Sequence, residues 1–216
     1  MANYKIGYID EQEGERLDFI NLMDDDEDSI EVVIFNVDAT TEIGKLMEEI
    51  LQSDIECLVA DYHLSETGVP FEGSHLIEEF HKIRPYFPKI IYTAKEDKVI
   101  PEVENEIIYF INDKSIKQDE KRSEDFRTKI KTLINNYQKD IDVAKQALKT
   151  LTEKRRNEKL TIDEENELFK AKNYLMKIDT RRIEFPEILT EQDYFKDVQE
   201  SNKKVDEILK EMRNVK

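Results

Sequence analysis

The 216 residues carry 50 Asp and Glu against 33 Lys and Arg, a net charge of −17, with five Gly, five Pro, three His and one Cys. These figures exclude long flexible linkers and an internal disulfide framework, and no run of roughly 18 or more apolar residues is present to span a membrane. Residues 1–116 hold 28 acidic and 9 basic residues, a net of −19, and residues 117–216 hold 22 and 24, a net of +2; neither half reads as a DNA-binding surface.

The chain enters a strand pattern at once, with no signal-like segment before it, so a cytoplasmic location is expected. Lys5–Ile9 reads as a first strand ended by Asp10-Glu11. A helix follows with Leu17, Ile20 and Met23 as its apolar positions, then an acid run at Asp24–Asp28 that reads as a solvated loop. Glu31–Val37 is the second strand, and Thr41 is placed as the cap of a helix bearing Ile43, Leu46, Met47 and Ile50. In the third strand Leu58, Val59 and Ala60 are consecutive and apolar, the mark of a strand covered on both faces, Cys57 beside them reads as a small buried side chain, and the run stops at Asp61. A polar loop from Ser65 to Gly73 leads to a helix with Leu76, Ile77, Phe80 and Ile83, halted by Pro85. Lys89–Tyr92 is the fourth strand, ending at Thr93, and Ile107–Ile111 the fifth, ending near Lys114. Strands alternating with helices at crossover lengths predict an α/β domain over residues 1–120: a doubly wound, five-stranded parallel sheet of flavodoxin-like order 2-1-3-4-5.

Residues 121–216 read as an all-α, coiled-coil-like region for output or dimerisation. Ser123 is placed as the cap of a long helix over 123–157, with Phe126, Ile130, Leu133, Tyr137, Ile141, Ala144, Leu148 and Leu151 at heptad-like steps. Thr161 and Glu164 form a capping box that opens a second helix over 161–180. The short turn between the two argues for an antiparallel hairpin. Ile183–Leu189, interrupted by Pro186, is a non-helical crossing segment, and a third helix is expected over 190–214 with Phe195, Val198, Asn202, Val205, Leu209 and Met212 as its seam. The clusters Lys154-Arg155-Arg156 and Arg181-Arg182 sit near helix ends, where cations complement the dipole.

Strand ends in such a sheet deliver Asp10, Glu11, Asp61, Thr93 and Lys114 to one edge, where ligands bind in open α/β folds. Grouped carboxylates suit Mg²⁺. A carboxylate can attack phosphorus and hold it as an acyl phosphate, while a hydroxyl and an ammonium can bind the phosphoryl oxygens. No Gly-rich phosphate loop or nucleophile elbow is present, and no histidine falls in the helical half.

These residues, in this order, resemble the receiver domain of two-component response regulators over about residues 3–118: Ile9-Asp10-Glu11, Asp61, Thr93-Ala94-Lys95-Glu96-Asp97 and Lys114. The resemblance implies that Asp61 accepts a phosphoryl group from a histidine kinase or phosphotransfer protein. It implies Mg²⁺ held by Glu11, Asp61 and the backbone carbonyl of His63, with Asp10 acting through water, and Thr93 and Lys114 sensing and holding the phosphoryl group. The chain departs from the family's pattern in its Asp-Glu pair, in a longer loop after Asp61, in Ser115 where a proline follows the lysine, and in Ile111 at the aromatic switch position. The expected function is a phosphorylation switch whose long helix drives a protein-directed or homodimeric output, without direct DNA binding. The alternative is a phosphorylation-independent pseudo-receiver acting as an adaptor or scaffold. Beyond phosphotransfer and autodephosphorylation at Asp61, no enzyme activity is expected.

Overall fold

Strands β1 (Tyr4–Ile9), β2 (Ile30–Phe35), β3 (Cys57–Asp61) and β4 (Lys89–Thr93) are short apolar runs that lie side by side, all parallel, in the order β2-β1-β3-β4. The three-residue β5 (Ile111–Asp113) pairs beside β4, with Thr93 opposite Asp113. The protein is described here by a computed structural model, which covers residues 4–24, 30–93 and 111–178. The fifth strand expected over 107–111 thus meets the described chain only at Ile111, and the rest of it lies outside the described residues, as do the acid run from Asp25 and residues 94–106.

The two-residue period of the strands divides the core into two layers. Ile9, Phe35, Leu58, Ala60 and Ile91 face helices α2 (Ile43–Gln52) and α3 (Gly73–Ile83). Ile6, Tyr8, Cys57, Val59, Ile90 and Tyr92 face α1 (Glu13–Met23) and the first half of α4 (Glu120–Asn157). The continuous apolar run in β3 is thus buried on both faces. Burial also pushes the Cys57 thiol well above its ordinary titration range and leaves it a core side chain.

Several sequence expectations are corrected. In α1 the buried residues are Phe19, Leu22 and Met23, whereas Leu17 is 56% and Ile20 40% exposed. Two overlapping apolar rows run along this helix, and the stack of Phe19 on Tyr8, with ring centroids 3.8 Å apart, selects the other row. Thr41 caps no helix: Glu42 occupies that position in α2, and the Thr41 hydroxyl accepts from the Asp38 amide at 2.8 Å within a turn. Ile83, at the end of α3, is 52% exposed. Ser123 lies inside α4; the helix starts earlier because the Asp119 carboxylate accepts from the Lys121 and Arg122 amides at 3.0 and 3.2 Å, and the Ser123 hydroxyl donates instead to the Ile116 carbonyl.

Helix α4 runs 38 residues, about 57 Å at 1.5 Å per residue. Its apolar positions do not form one seam. Phe126, Ile130 and Ile134 cover the sheet, with Leu133, expected at the seam, only partly buried. Ala144, Leu148 and Leu151 pack on Leu168, Ala171 and Leu175 of α5 (Ile162–Met176) and on Ile178. Tyr137 borders both the sheet core and the hairpin core. The capping box at Thr161 and Glu164 forms, and Lys154 pairs with Glu164 at 2.6 Å across the turn. Helix α5 ends at Met176, short of residue 180; the crossing segment 183–189 and the helix expected over 190–214 lie outside the described residues. Among the described residues no helix is long and apolar enough to cross a membrane.

Gly73 ties this fold to the strand edge. Its amide donates to the Tyr62 carbonyl at 2.9 Å, and a methyl group there would overlap the Asp61 carbonyl oxygen. Gly14, in α1, has open space around it. Gly73→Ala is expected to lower stability by about 1–3 kcal/mol, as overpacking does, while Gly14→Ala is expected to be neutral or to add up to about 0.5–1 kcal/mol. Urea unfolding of the two variants checks the contrast.

Candidate functional site

Each strand of a parallel sheet points its carboxyl end the same way, so the residues that stop β1, β3 and β4 share one edge. Asp10 follows β1 and is fully buried; Asp61 closes β3 and is 6% exposed; Thr93 closes β4 and is fully buried. Lys114, which follows β5, is 7% exposed and reaches across the edge. Its Nζ lies 2.7 Å from Asp10 Oδ2 and 2.8 Å from Asp61 Oδ1. One ammonium therefore bridges two carboxylates that arrive from different strands.

The carboxylates are held from behind as well. Tyr8 donates its hydroxyl to Asp10 Oδ2 at 2.8 Å, and the Gln12 amide donates to Asp10 Oδ1 at 2.9 Å. The His63 amide donates to Asp61 Oδ2 at 2.8 Å. The His63 carbonyl, expected as a metal ligand, accepts from the Glu66 amide at 3.4 Å in the 3₁₀ turn that follows. The Gly68 amide closes that turn by donating to the Ser65 carbonyl at 3.0 Å, and the Ser65 hydroxyl donates to Glu72, just ahead of α3.

Burial raises the Asp61 carboxyl above the ordinary carboxylate range; Lys114 opposes the shift and Asp10 adds to it. Burial pulls the Lys114 ammonium down, but the Asp61 and Asp10 carboxylates outweigh it and hold the group above its ordinary value. Glu11 is also pushed up, chiefly by loss of solvent, with the Asp10 and Asp61 charges adding. Its Oε2 is buried without a hydrogen-bond donor.

Oxygen-only donors and an unsatisfied carboxylate oxygen fit a hard divalent cation in their chemistry. As the side chains stand, no three carboxylate, imidazole or thiol groups among the described residues are gathered closely enough to hold one. The Lys114 ammonium stands between Asp10 and Asp61 instead.

Sequence reasoning missed the outer ring of the site. Lys114 and Lys117 sit three residues apart on a 3₁₀ turn, where positions i and i+3 eclipse. Lys117 reaches Glu15 at 3.1 Å and Asp18 at 2.8 Å on α1, and Glu15 lies 3.5 Å from Lys114. Arg16 donates to the Asp10 carbonyl at 2.9 Å. The signal that could have found them is the run of charges in the first turns of α1, read there only for its apolar positions.

The titration of Asp61 makes stability depend on pH. A carboxyl raised in the folded state favours folding below its unfolded value, near pH 4, and loses that contribution as pH rises through its folded value. Above its folded value the ionised, desolvated Asp61 is therefore a cost. Asp61→Asn is expected to raise the thermal midpoint at pH 7 by roughly 2–4 °C, the shift that about 1 kcal/mol produces at this size. The gain should close as pH falls toward about 4, and thermal unfolding of both proteins across that range measures it.

No protein-family model matches the chain, and no curated protein matches it. Among solved structures, an uncharacterized protein from Neptuniibacter caesariensis is similar over 62% of this chain and 90% of its own, at 14% identity and a TM-score of 0.48. A fusion carrying a yeast Spc42 trimeric coiled coil is similar over 80% of this chain and 99% of its own, at 16% identity and a TM-score of 0.46. On the chain's own strand order and packing, it is a flavodoxin-like parallel sheet continued into a helical C-terminal region, an arrangement that fits a receiver-like domain.

Proposed function

We propose that this chain is a phosphorylation switch of the response-regulator kind, with Asp61 as the phosphoryl acceptor and the helical hairpin as its output. The observation that carries the reading is the Lys114 ammonium bridging Asp10 and Asp61 at the carboxyl edge of the sheet. The donor in this reading is a phosphohistidine on a kinase or phosphotransfer protein. A P–O bond forms to an Asp61 carboxylate oxygen while the P–N bond to the donor imidazole breaks, and the imidazole leaves with the electron pair. Lys114, already within ion-pair reach of Asp61, holds the incoming phosphoryl oxygens as a point charge. Thr93, buried at the end of β4, supplies a hydroxyl to the same group. Glu11, Asp61 and the His63 carbonyl, with Asp10 through water, are the groups that would hold Mg²⁺, whose charge offsets the repulsion between phosphoryl oxygens and carboxylate.

Output follows from connectivity. Lys114 is the first residue of the 3₁₀ turn that leads into α4, and α4 runs unbroken from the sheet to the hairpin with α5. A change in what Lys114 binds is thereby passed to a rigid rod. The hairpin then meets a protein partner or a second copy of the chain.

The test is incubation of the full chain with Mg²⁺ and a small phosphodonor, read by mass spectrometry, alongside light scattering with Mg²⁺ and beryllium fluoride. One phosphoryl group on the peptide containing Asp61, absent in Asp61→Ala, and a change of mass or shape in wild type alone are expected. An unlabelled protein of unchanged size with and without beryllium fluoride would sink the switch and leave the adaptor reading.

A further inference from the structure

Helix α5 is apolar on two sides. Leu168, Ala171 and Leu175 pack on α4 in the hairpin core. A surface helix ordinarily turns polar residues to the side away from its core. On α5 that side carries Ile162, Phe169 and Met176, which are 82%, 65% and 54% exposed. They stand seven residues apart, a step that returns to the same face of a helix within about 20°. They therefore form one row along the whole 15-residue helix, about 22 Å long, with Phe169 at its centre.

The charges of this helix divide at Phe169. Asp163, Glu164, Glu165 and Glu167 precede it, and Lys170, Lys172 and Lys177 follow it. Two copies of α5 laid side by side in the same direction would bring like halves together, whereas in opposite directions acid meets base. The second arrangement has a two-fold axis at Phe169, about which the surface is its own partner. Ile162 then meets Met176 of the second copy, and Phe169 meets Phe169. Glu165 and Lys172 lie on one flank of the row, roughly 10 Å apart along the helix and too far to pair within it. Across the axis the Glu165 of each copy comes level with the Lys172 of the other. Within its own chain Glu165 Oε1 lies 3.7 Å from Arg155 Nε, with both side chains close to half exposed, a surface contact of small strength. Residues 117–216 carry a net of +2 against −19 for residues 1–116, so two helical halves approach with little repulsion.

We propose that two copies of this chain pair through α5, antiparallel about Phe169, with the row of Ile162, Phe169 and Met176 as the apolar seam and two Glu165–Lys172 pairs setting the direction. The use of this pairing as an output rests on the switch reading; the association itself does not need Asp61. One short helix from each copy makes a contact at the small end of specific interfaces, suited to a reversible dimer.

The test is sedimentation velocity of the full chain from about 1 µM to 1 mM. Wild type and Asp61→Ala should both pass from monomer to dimer, which keeps failure of the pairing distinct from failure of the acceptor at Asp61. Phe169→Asp should abolish the dimer, and Phe169→Leu should retain it. Glu165→Lys and Lys172→Glu each set like charges together at both pairs, and each should weaken the dimer at least about fivefold. Mixing these two variants should restore association, because the flank of one then complements the flank of the other. The mixture does not restore the Arg155 contact, so recovery reports on pairing between copies. A wild type that stays monomeric throughout, its row covered by the chain's own later residues or by a different protein, would overturn the proposal. A dimer indifferent to Phe169→Asp, or charge variants that stay apart when mixed, would overturn it equally.

Discussion

Two carboxylates and one ammonium share a site from which water is largely removed, and this constraint organises the rest of the molecule. Asp10 and Asp61 are almost fully buried, and burying one such charge unpaired is costly. Lys114 makes the pair tolerable only if it arrives at both oxygens together. It arrives from the far end of the domain, 104 residues along the chain from Asp10. Its turn is fixed by Lys117 gripping Glu15 and Asp18 on α1, and the next residues open α4 under an Asp119 cap. Site, first helix and long helix are thus parts of one electrostatic arrangement.

Most of that arrangement was legible because strands buried on both faces read as apolar runs that stop abruptly at polar residues. Asp10, Asp61 and Thr93 were found that way, and Lys114 as a cation near the end of the expected fifth strand. What was not legible depended on choices that tertiary contacts make. The row of α1 that faces inward is decided by Phe19 stacking on Tyr8, and both rows are apolar. Thr41 and Ser123 are good capping residues on sequence, yet each bonds elsewhere because Asp38 and Ile116 lie nearer. Lys114 and Lys117 share a face of a 3₁₀ turn only five residues long, too short for a periodic pattern to register.

The long helix taught a different lesson. Its apolar positions follow heptad-like steps, and a single seam was the natural reading. The structure divides them between two unrelated partners, a sheet and a second helix, with Tyr137 at the change-over. Periodicity fixes which side of a helix is apolar and says nothing about whether one surface or two cover it. A helix shared in this way belongs to neither domain alone, and the sheet and hairpin are joined by a rigid element instead of a hinge.

The span between Asp10 and Lys114 also bears on how the chain reaches its folded state. The hairpin of α4 and α5 is built from local contacts within about sixty residues, a class that forms early. The carboxylate–ammonium bridge closes a loop of 104 residues, and its entropy is paid later than that of the hairpin. During synthesis Asp10 and Asp61 emerge before Lys114, so two carboxylates destined for burial remain hydrated until β5 and the turn after it are made. Acceptor chemistry and complete domain assembly therefore arrive together, and a chain cut short before Lys114 holds neither.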